Sequence, residues 1–139
     1  MPQARPILTI GVTGHRPERI GQGNLEAVAA MIGRVLDAVA DAGGADGAPL
    51  RMRLVSALAE GADSLAADFA LARGWTLDCV LPFGRDDYAA DFEGVDALET
   101  YRTQLAAARA VFELPGARDP QSDPRAYERA GRVLSLIHI

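Results

Sequence analysis

The stretch Leu50–Leu81, LRMRLVSALAEGADSLAADFALARGWTLDCVL, decides the fold. Leu50 to Ala57 is a short apolar run of strand length, and it gives way to the small-residue turn Leu58-Ala59-Glu60-Gly61. From Ala62 to Arg73 the spacing changes to that of a helix. Ala62, Leu65, Ala66, Phe69 and Ala70 share one face, and Gly74 supplies the C′ residue that ends it. Thr76 to Leu81 reads as a second strand, closed by Pro82-Phe83-Gly84. A strand, a helix and a strand joined this tightly predict a right-handed crossover and a parallel pair.

The same unit extends in both directions. Ile7 to Thr13 is a near-continuous apolar, β-branched run that stops at Gly14-His15-Arg16-Pro17, the pattern of a strand covered on both faces. After a loop with Gly21 and Gly23, a helix is predicted from Asn24 to Ala42. Leu25, Val28, Ala29, Ile32, Val35, Leu36 and Val39 form its inward face, while Glu26, Arg34, Asp37 and Asp41 point outward. Asn24 is the expected N-cap and Gly43-Gly44 the stop. Downstream, Asp86 to Phe92 is a short helix and Val95 to Arg109 a longer one carrying Leu98, Tyr101, Leu105 and Ala108. Val111 to Leu114 is a weak strand, 116–124 a polar loop with two prolines, and Ala126 to Leu134 a last helix. The sum is a single α/β domain, a Rossmann-like three-layer sandwich on a mainly parallel sheet.

Composition narrows the function. At 139 residues, 49% hydrophobic and 24% charged, the chain has the size and make-up of one globular domain. Its net charge of −5 and 6% aromatic content disfavour a nucleic-acid surface, which needs clustered cations and stacking rings. All 14 basic residues are arginines, the better planar partner for phosphate. The single cysteine, Cys79, sits in an apolar run and reads as a buried thiol. Nothing approaches the ~18 apolar residues of a membrane span, and the opening run is too short for a signal peptide, so a cytoplasmic protein is expected. Two distant histidines, His15 and His138, make a metal site improbable, and no cofactor is expected. Neither a Gly-Lys-Ser/Thr phosphate loop, a full Gly-x-Gly-x-x-Gly fingerprint nor a Gly-x-Ser-x-Gly elbow is present.

Open parallel sheets bind ligands beyond the carboxyl ends of their strands, and that rule makes neighbours of three segments. In the first, Gly14 leaves room for a ligand, and His15 and Arg16 offer a titratable ring and a fixed cation for phosphate or carboxylate; alternatively Arg16 pairs with Glu18 or Asp63. In the second, Ser56 offers a hydroxyl, Gly61 permits close backbone approach, and the helix opening at Gly61-Ala62-Asp63 offers free amides to an anion. The alternative there is a tight turn at Gly61 with Asp63 merely complementing the helix start. In the third, Pro82 closes the strand, Phe83 is an apolar wall, and Arg85 and Tyr88 face the ligand, unless Phe83 and Tyr88 only cover the sheet edge.

In this order the three segments resemble the SLOG superfamily, which includes DprA, the Lonely Guy enzymes and the YpsA-like proteins. The YpsA-like branch is the most similar. Its first strand runs into Thr-Gly-(His/Tyr)-(Arg/Lys)-Pro, here Thr13 to Pro17; its second into Ser-Gly-x-Ala-x-Gly-x-Asp and an Ala-rich helix, here Ser56 to Asp63 with Ala66 and Ala67; its third ends in Pro-Phe, here Pro82-Phe83. Ala57 stands where those relatives usually have Gly. The resemblance implies binding of a nucleotide or nucleotide-derived ligand, often as a sensor in bacterial stress or anti-phage systems, with a fused or associated effector or a homo-oligomer. Gly14, His15 and Arg16 would line one wall, Ser56, Gly61 and Asp63 the second, and Pro82, Phe83 and Arg85 the rim. It also implies a further strand beside the first and a Gly-Gly-Thr loop. The sequence ends at Leu136-Ile137-His138-Ile139 without them, so truncation, or non-native residues from Ser135 to Ile139, is expected. Without that loop, binding is expected rather than catalysis. An N-glycoside-cleaving enzyme or an interaction module with a vestigial pocket are the alternatives.

Overall fold

Parallel pairing of the predicted strands is the frame of the computed structural model, which describes residues 6–13, 24–43 and 51–136. Four strands, β1 (Ile7–Gly11), β2 (Arg51–Ser56), β3 (Thr76–Leu81) and β4 (Ala110–Glu113), make one all-parallel sheet in the order β1-β2-β3-β4. Ile10 lies opposite Leu54, Leu54 opposite Leu77, and Cys79 opposite Val111. The helices are α1 (Leu25–Gly43), α2 (Ala62–Ala72), α3 (Arg85–Ala89), α4 (Val95–Ala107) and α5 (Ala126–Leu136). The chain is therefore an α/β, Rossmann-like three-layer sandwich.

Strand order decides which helix covers which face. Each crossover steps one strand in the same direction, and crossovers of one hand then place every connecting helix on one side. Leu54, Leu77, Cys79 and Leu81 accordingly pack with Leu36 of α1, Ala66, Ala67 and Ala70 of α2, Tyr88 of α3 and Tyr101 of α4. Val55 and Val80, which alternate to the other face, meet only Ala130 and Leu134 of α5, with Leu114 and Val133 beside them. Among the described residues, α5 is the one helix on this second face.

Two readings of the sequence need correcting. Val35, expected on the inner face of α1, is 55% exposed, and its neighbour on that side, Met31, is 57% exposed. The face that reaches the core is centred on Leu36, with Gly33 buried against the Phe69 ring; Asp37 stays at the surface, as expected, where it accepts two bonds from Arg73, just after α2, at 2.7 and 2.9 Å. A helix this rich in alanine and valine carries apolar residues beyond the stripe it buries. β1, expected to be covered on both faces, is half-buried, with Ile7 41% exposed, because among the described residues it has one neighbouring strand and α5 packs against β3.

Two polar groups inside are matched by partners from other elements. Asp78, buried on the α5 face, accepts both Arg109 guanidinium bonds at 3.0 and 2.6 Å and has Arg53 3.7 Å away. Gln104 of α4 donates to Asp68 (2.8 Å) and to the Ser64 carbonyl (3.1 Å), locking α4 onto α2. Cys79 is buried without a disulfide, and burial pushes its thiol up to about 12, which leaves it unreactive at neutral pH. No helix among the described residues is long and apolar enough to cross a membrane.

After β4 the chain folds tightly over the strand ends. A Cβ on Gly116 would lie 2.3 Å from the Pro82 carbonyl oxygen, a backbone atom that cannot move aside. Gly116→Ala is expected to destabilise the fold by about 1–3 kcal/mol through this overlap, measured as a lower midpoint in urea unfolding. An unchanged midpoint would mean the crossing of these two loops is not close in solution.

Candidate functional site

Beyond the carboxyl ends of β1, β2 and β3 lies a cavity of about 490 Å³. Val12 and Thr13 follow β1 into it, Ala57 and Ala59 come from the turn after β2, Asp63 from the first turn of α2, Pro82 from the end of β3 and Tyr88 from α3. Tyr127, Ala130, Gly131 and Leu134 of α5 close its far wall. The volume falls within the usual range for small-molecule sites, and its lining is largely apolar with few polar groups, as such sites are.

The turn from β2 to α2 builds the polar end. Ser56 is fully buried; its hydroxyl donates to the Asp63 carbonyl at 3.2 Å and accepts the Leu58 amide at 3.0 Å. This one side chain ties the end of the strand to the first turn of the helix. Leu58 is held at φ 58°, in the left-handed region, with its side chain fully buried in the core. A bulky residue there carries backbone strain, of the kind that concentrates at functional turns. Gly61 precedes the helix at φ 102°, ψ −132°, a conformation open to glycine. Among the helix's first amides, Ser64 donates to the Ala59 carbonyl at 3.1 Å and Leu65 to that of Gly61 at 3.0 Å.

Asp63 is the charged group of this end. It is 6% exposed, the Ala59 amide donates to its carboxyl, and its Oδ1 has no hydrogen-bond partner. Burial raises its pKa from 3.8 to about 7, and the Ala59 hydrogen bond opposes this only in part. A buried acceptor without a partner costs ~1–3 kcal/mol, so the fold tolerates a local penalty at the cavity wall.

The residues singled out from the sequence divide into groups. Asp63 and Pro82 line the cavity. Ser56 stands directly behind it, but its hydroxyl is spent within the turn rather than offered to a ligand. Phe83 is fully buried and stacks edge-on against Tyr88 and Tyr127, so it supports the wall without forming it. Gly61 opens onto an adjacent groove with Ser64, Phe92 and Asp96. Arg85 is turned away: its guanidinium and amide both bind Glu113, at 2.9 and 2.8 Å, and it lines a separate hollow with Tyr101 and Arg102. That pairing holds the Glu113 carboxyl below its ordinary range. Gly14, His15 and Arg16 lie outside the described residues.

The α5 wall had no counterpart in the sequence reading. Tyr127 is placed by edge contact with Phe83 and by a hydroxyl hydrogen bond to Asp91, which also accepts Arg118 at 2.7 Å. Asp91 is 36 positions from Tyr127 and Phe83 is farther still, and the only local hint is the spacing of Tyr127, Ala130, Gly131 and Leu134 on one helix face. Among the described residues no cluster of His, Cys, Asp and Glu is arranged to hold a metal ion. No protein-family model matches the chain, and a comparison with curated proteins finds no match either.

Because Asp63 holds its proton more tightly when folded than when unfolded, its contribution to stability is complete below pH 3.8 and is lost as pH rises through about 7. Asp63→Asn removes this penalty while keeping the shape. Its melting temperature relative to wild type is expected to be about 5 °C or more higher at pH 8 than at pH 5, read by circular dichroism. An equal difference at the two pH values would show that the carboxyl does not titrate in this window.

Proposed function

We propose that this domain binds a nucleotide or nucleotide-derived ligand in the cavity beyond the carboxyl ends of its strands, and acts as a sensor domain of a cytoplasmic protein. The observation that carries the reading is the buried Asp63, with its unpartnered oxygen, in the wall of an otherwise largely apolar cavity at that edge. Ligand sites combine apolar walls with a few placed polar groups, and a group left unsatisfied in the empty protein is one a ligand can satisfy. The order of the motifs at Thr13–Pro17, Ser56–Asp63 and Pro82-Phe83, similar to that of the SLOG superfamily, points to nucleotides as the chemical class. A sensor also needs something to act on, and a fused or associated effector or a second copy of the chain fits that role.

One observation favours a second reading. A carboxyl with a pKa near 7 in an apolar wall has the proton affinity a general acid requires, which suits an N-glycoside-cleaving enzyme. Release of free base from nucleoside monophosphates, abolished in Asp63→Asn, would establish it. The interaction-module reading predicts no binding at all.

Gly131 allows a direct test, because a Cβ there meets nothing within 4 Å and the residue lines the cavity. Gly131→Leu fills the cavity and replaces a helical glycine, so the variant is expected to be about 0.5–1 kcal/mol more stable. In thermal-shift titrations with mono-, di- and cyclic nucleotides and ADP-ribose, a ligand at 100 times its Kd adds about 2.7 kcal/mol to wild type. The same ligand should add nothing to Gly131→Leu. A shift that survives in the variant places binding elsewhere, and silence across the panel in wild type rejects the proposal.

A further inference from the structure

We infer that Asp63 accepts a hydroxyl group of the ligand's sugar, so that the ribose diol rather than the phosphate sits against the start of α2. The inference rests on the nucleotide-binding reading and specifies which part of the ligand this end of the cavity receives.

The chemistry of the lining decides between the groups a nucleotide could present. Among the described residues that line the cavity, Asp63 carries the one charge, and it is an acid. Its free Oδ1 is an acceptor that needs a donor. A phosphate oxygen brings only acceptor capacity and negative charge, and at about 4 Å from a carboxylate in a partly desolvated site the repulsion is substantial. Helix N-termini usually favour anions, but here the protein's own carboxylate occupies that position. An ammonium would satisfy Asp63, yet beyond the neutral hydroxyl residues Thr13, Tyr88 and Tyr127 the lining is apolar, with Val12, Ala57, Ala130 and Leu134, adds no second charge for a cation and would strip its hydration.

A hydroxyl avoids both difficulties. It donates to Oδ1 without adding charge, and its lone pairs remain open to a second donor such as the Thr13 hydroxyl, which lines the same cavity. The flat, weakly polar remainder of a nucleoside suits the small apolar residues of α5. Ser56 holds the first turn of α2 through the Asp63 carbonyl, so the acceptor stands ready before the ligand arrives.

The test compares nucleoside 5′-monophosphates of the four common bases with their 2′-deoxy and 3′-deoxy counterparts by isothermal titration calorimetry at pH 8. All carry the same phosphate, so any difference reads the sugar hydroxyls. For whichever base binds, removal of one of the two hydroxyls is expected to weaken wild type by about tenfold to a hundredfold, as for a hydrogen bond to a charged group. In Asp63→Asn and Asp63→Ala, with folding verified by circular dichroism, that discrimination should fall below about threefold. If wild type binds ribo- and deoxyribonucleotides equally, the inference is overturned while nucleotide binding stands. If the discrimination persists in both variants, the hydroxyl is read by another residue and the inference is likewise overturned. If no nucleotide binds wild type at all, both readings fall together. The wild-type comparison needs no variant, so a misfolded Asp63→Ala does not blunt it.

Discussion

Everything in this protein depends on three parallel crossovers that step in one direction across the sheet. Parallel strands cannot be joined by a hairpin, so each connection must carry a helix over a face, and a constant hand puts those helices together. One face of β2 and β3 is thereby sealed by α1 to α4, and the other is left to α5. The same stepping brings the ends of β1, β2 and β3 to one edge, where the chain must turn three times in succession. A cavity lies at that edge because α5 crosses beside the strand ends without filling the space between. What fills a site of this kind is decided by the few side chains whose polarity the fold has not used.

That remainder is small because, among the described residues, most arginines are used by the structure itself. Arg73 with Asp37, Arg85 with Glu113, Arg109 with Asp78, Arg118 with Asp91 and Arg129 with Asp123 join elements that are distant in sequence or fasten loops. A planar guanidinium suits such two-point pairing better than an ammonium does, and an acidic chain with arginine as its only cation uses it for cross-linking as readily as for ligands. Arg85 illustrates the competition. Its place after β3 suggested a ligand contact, and Glu113 at the end of the adjacent strand takes it instead. Asp63 is the opposite case, an acid left without a cation among its described contacts, and burial raises its proton affinity.

The elements themselves were legible. The boundaries of α2 and β3, the short α3, the weak β4 and the loop before α5 all followed from period, glycine and proline, because those signals are local. Where the reading faltered, the signal was ambiguous rather than absent. The inward face of α1 was legible through Leu25, Val28, Ala29, Ile32, Leu36 and Val39, but Val35, at the margin of that stripe, was placed on the wrong side. β1 has the composition of a covered strand but sits with one described neighbour. At the site, Asp63 and Pro82 could be chosen by position at strand ends, whereas the commitment of Ser56 to its own turn depends on a partner seven residues on.

By itself the sequence determined the alternation of strand and helix, the parallel pairing and the three segments that end at one sheet edge, since each follows from short-range spacing and the handedness of crossovers. Only the tertiary structure decided that α5 supplies the cavity's far wall, that Arg85 is spent on Glu113, and that Asp63 is buried with an oxygen unanswered. Each of these is a relation between residues far apart along the chain or between a group and its solvent, and no local pattern encodes either.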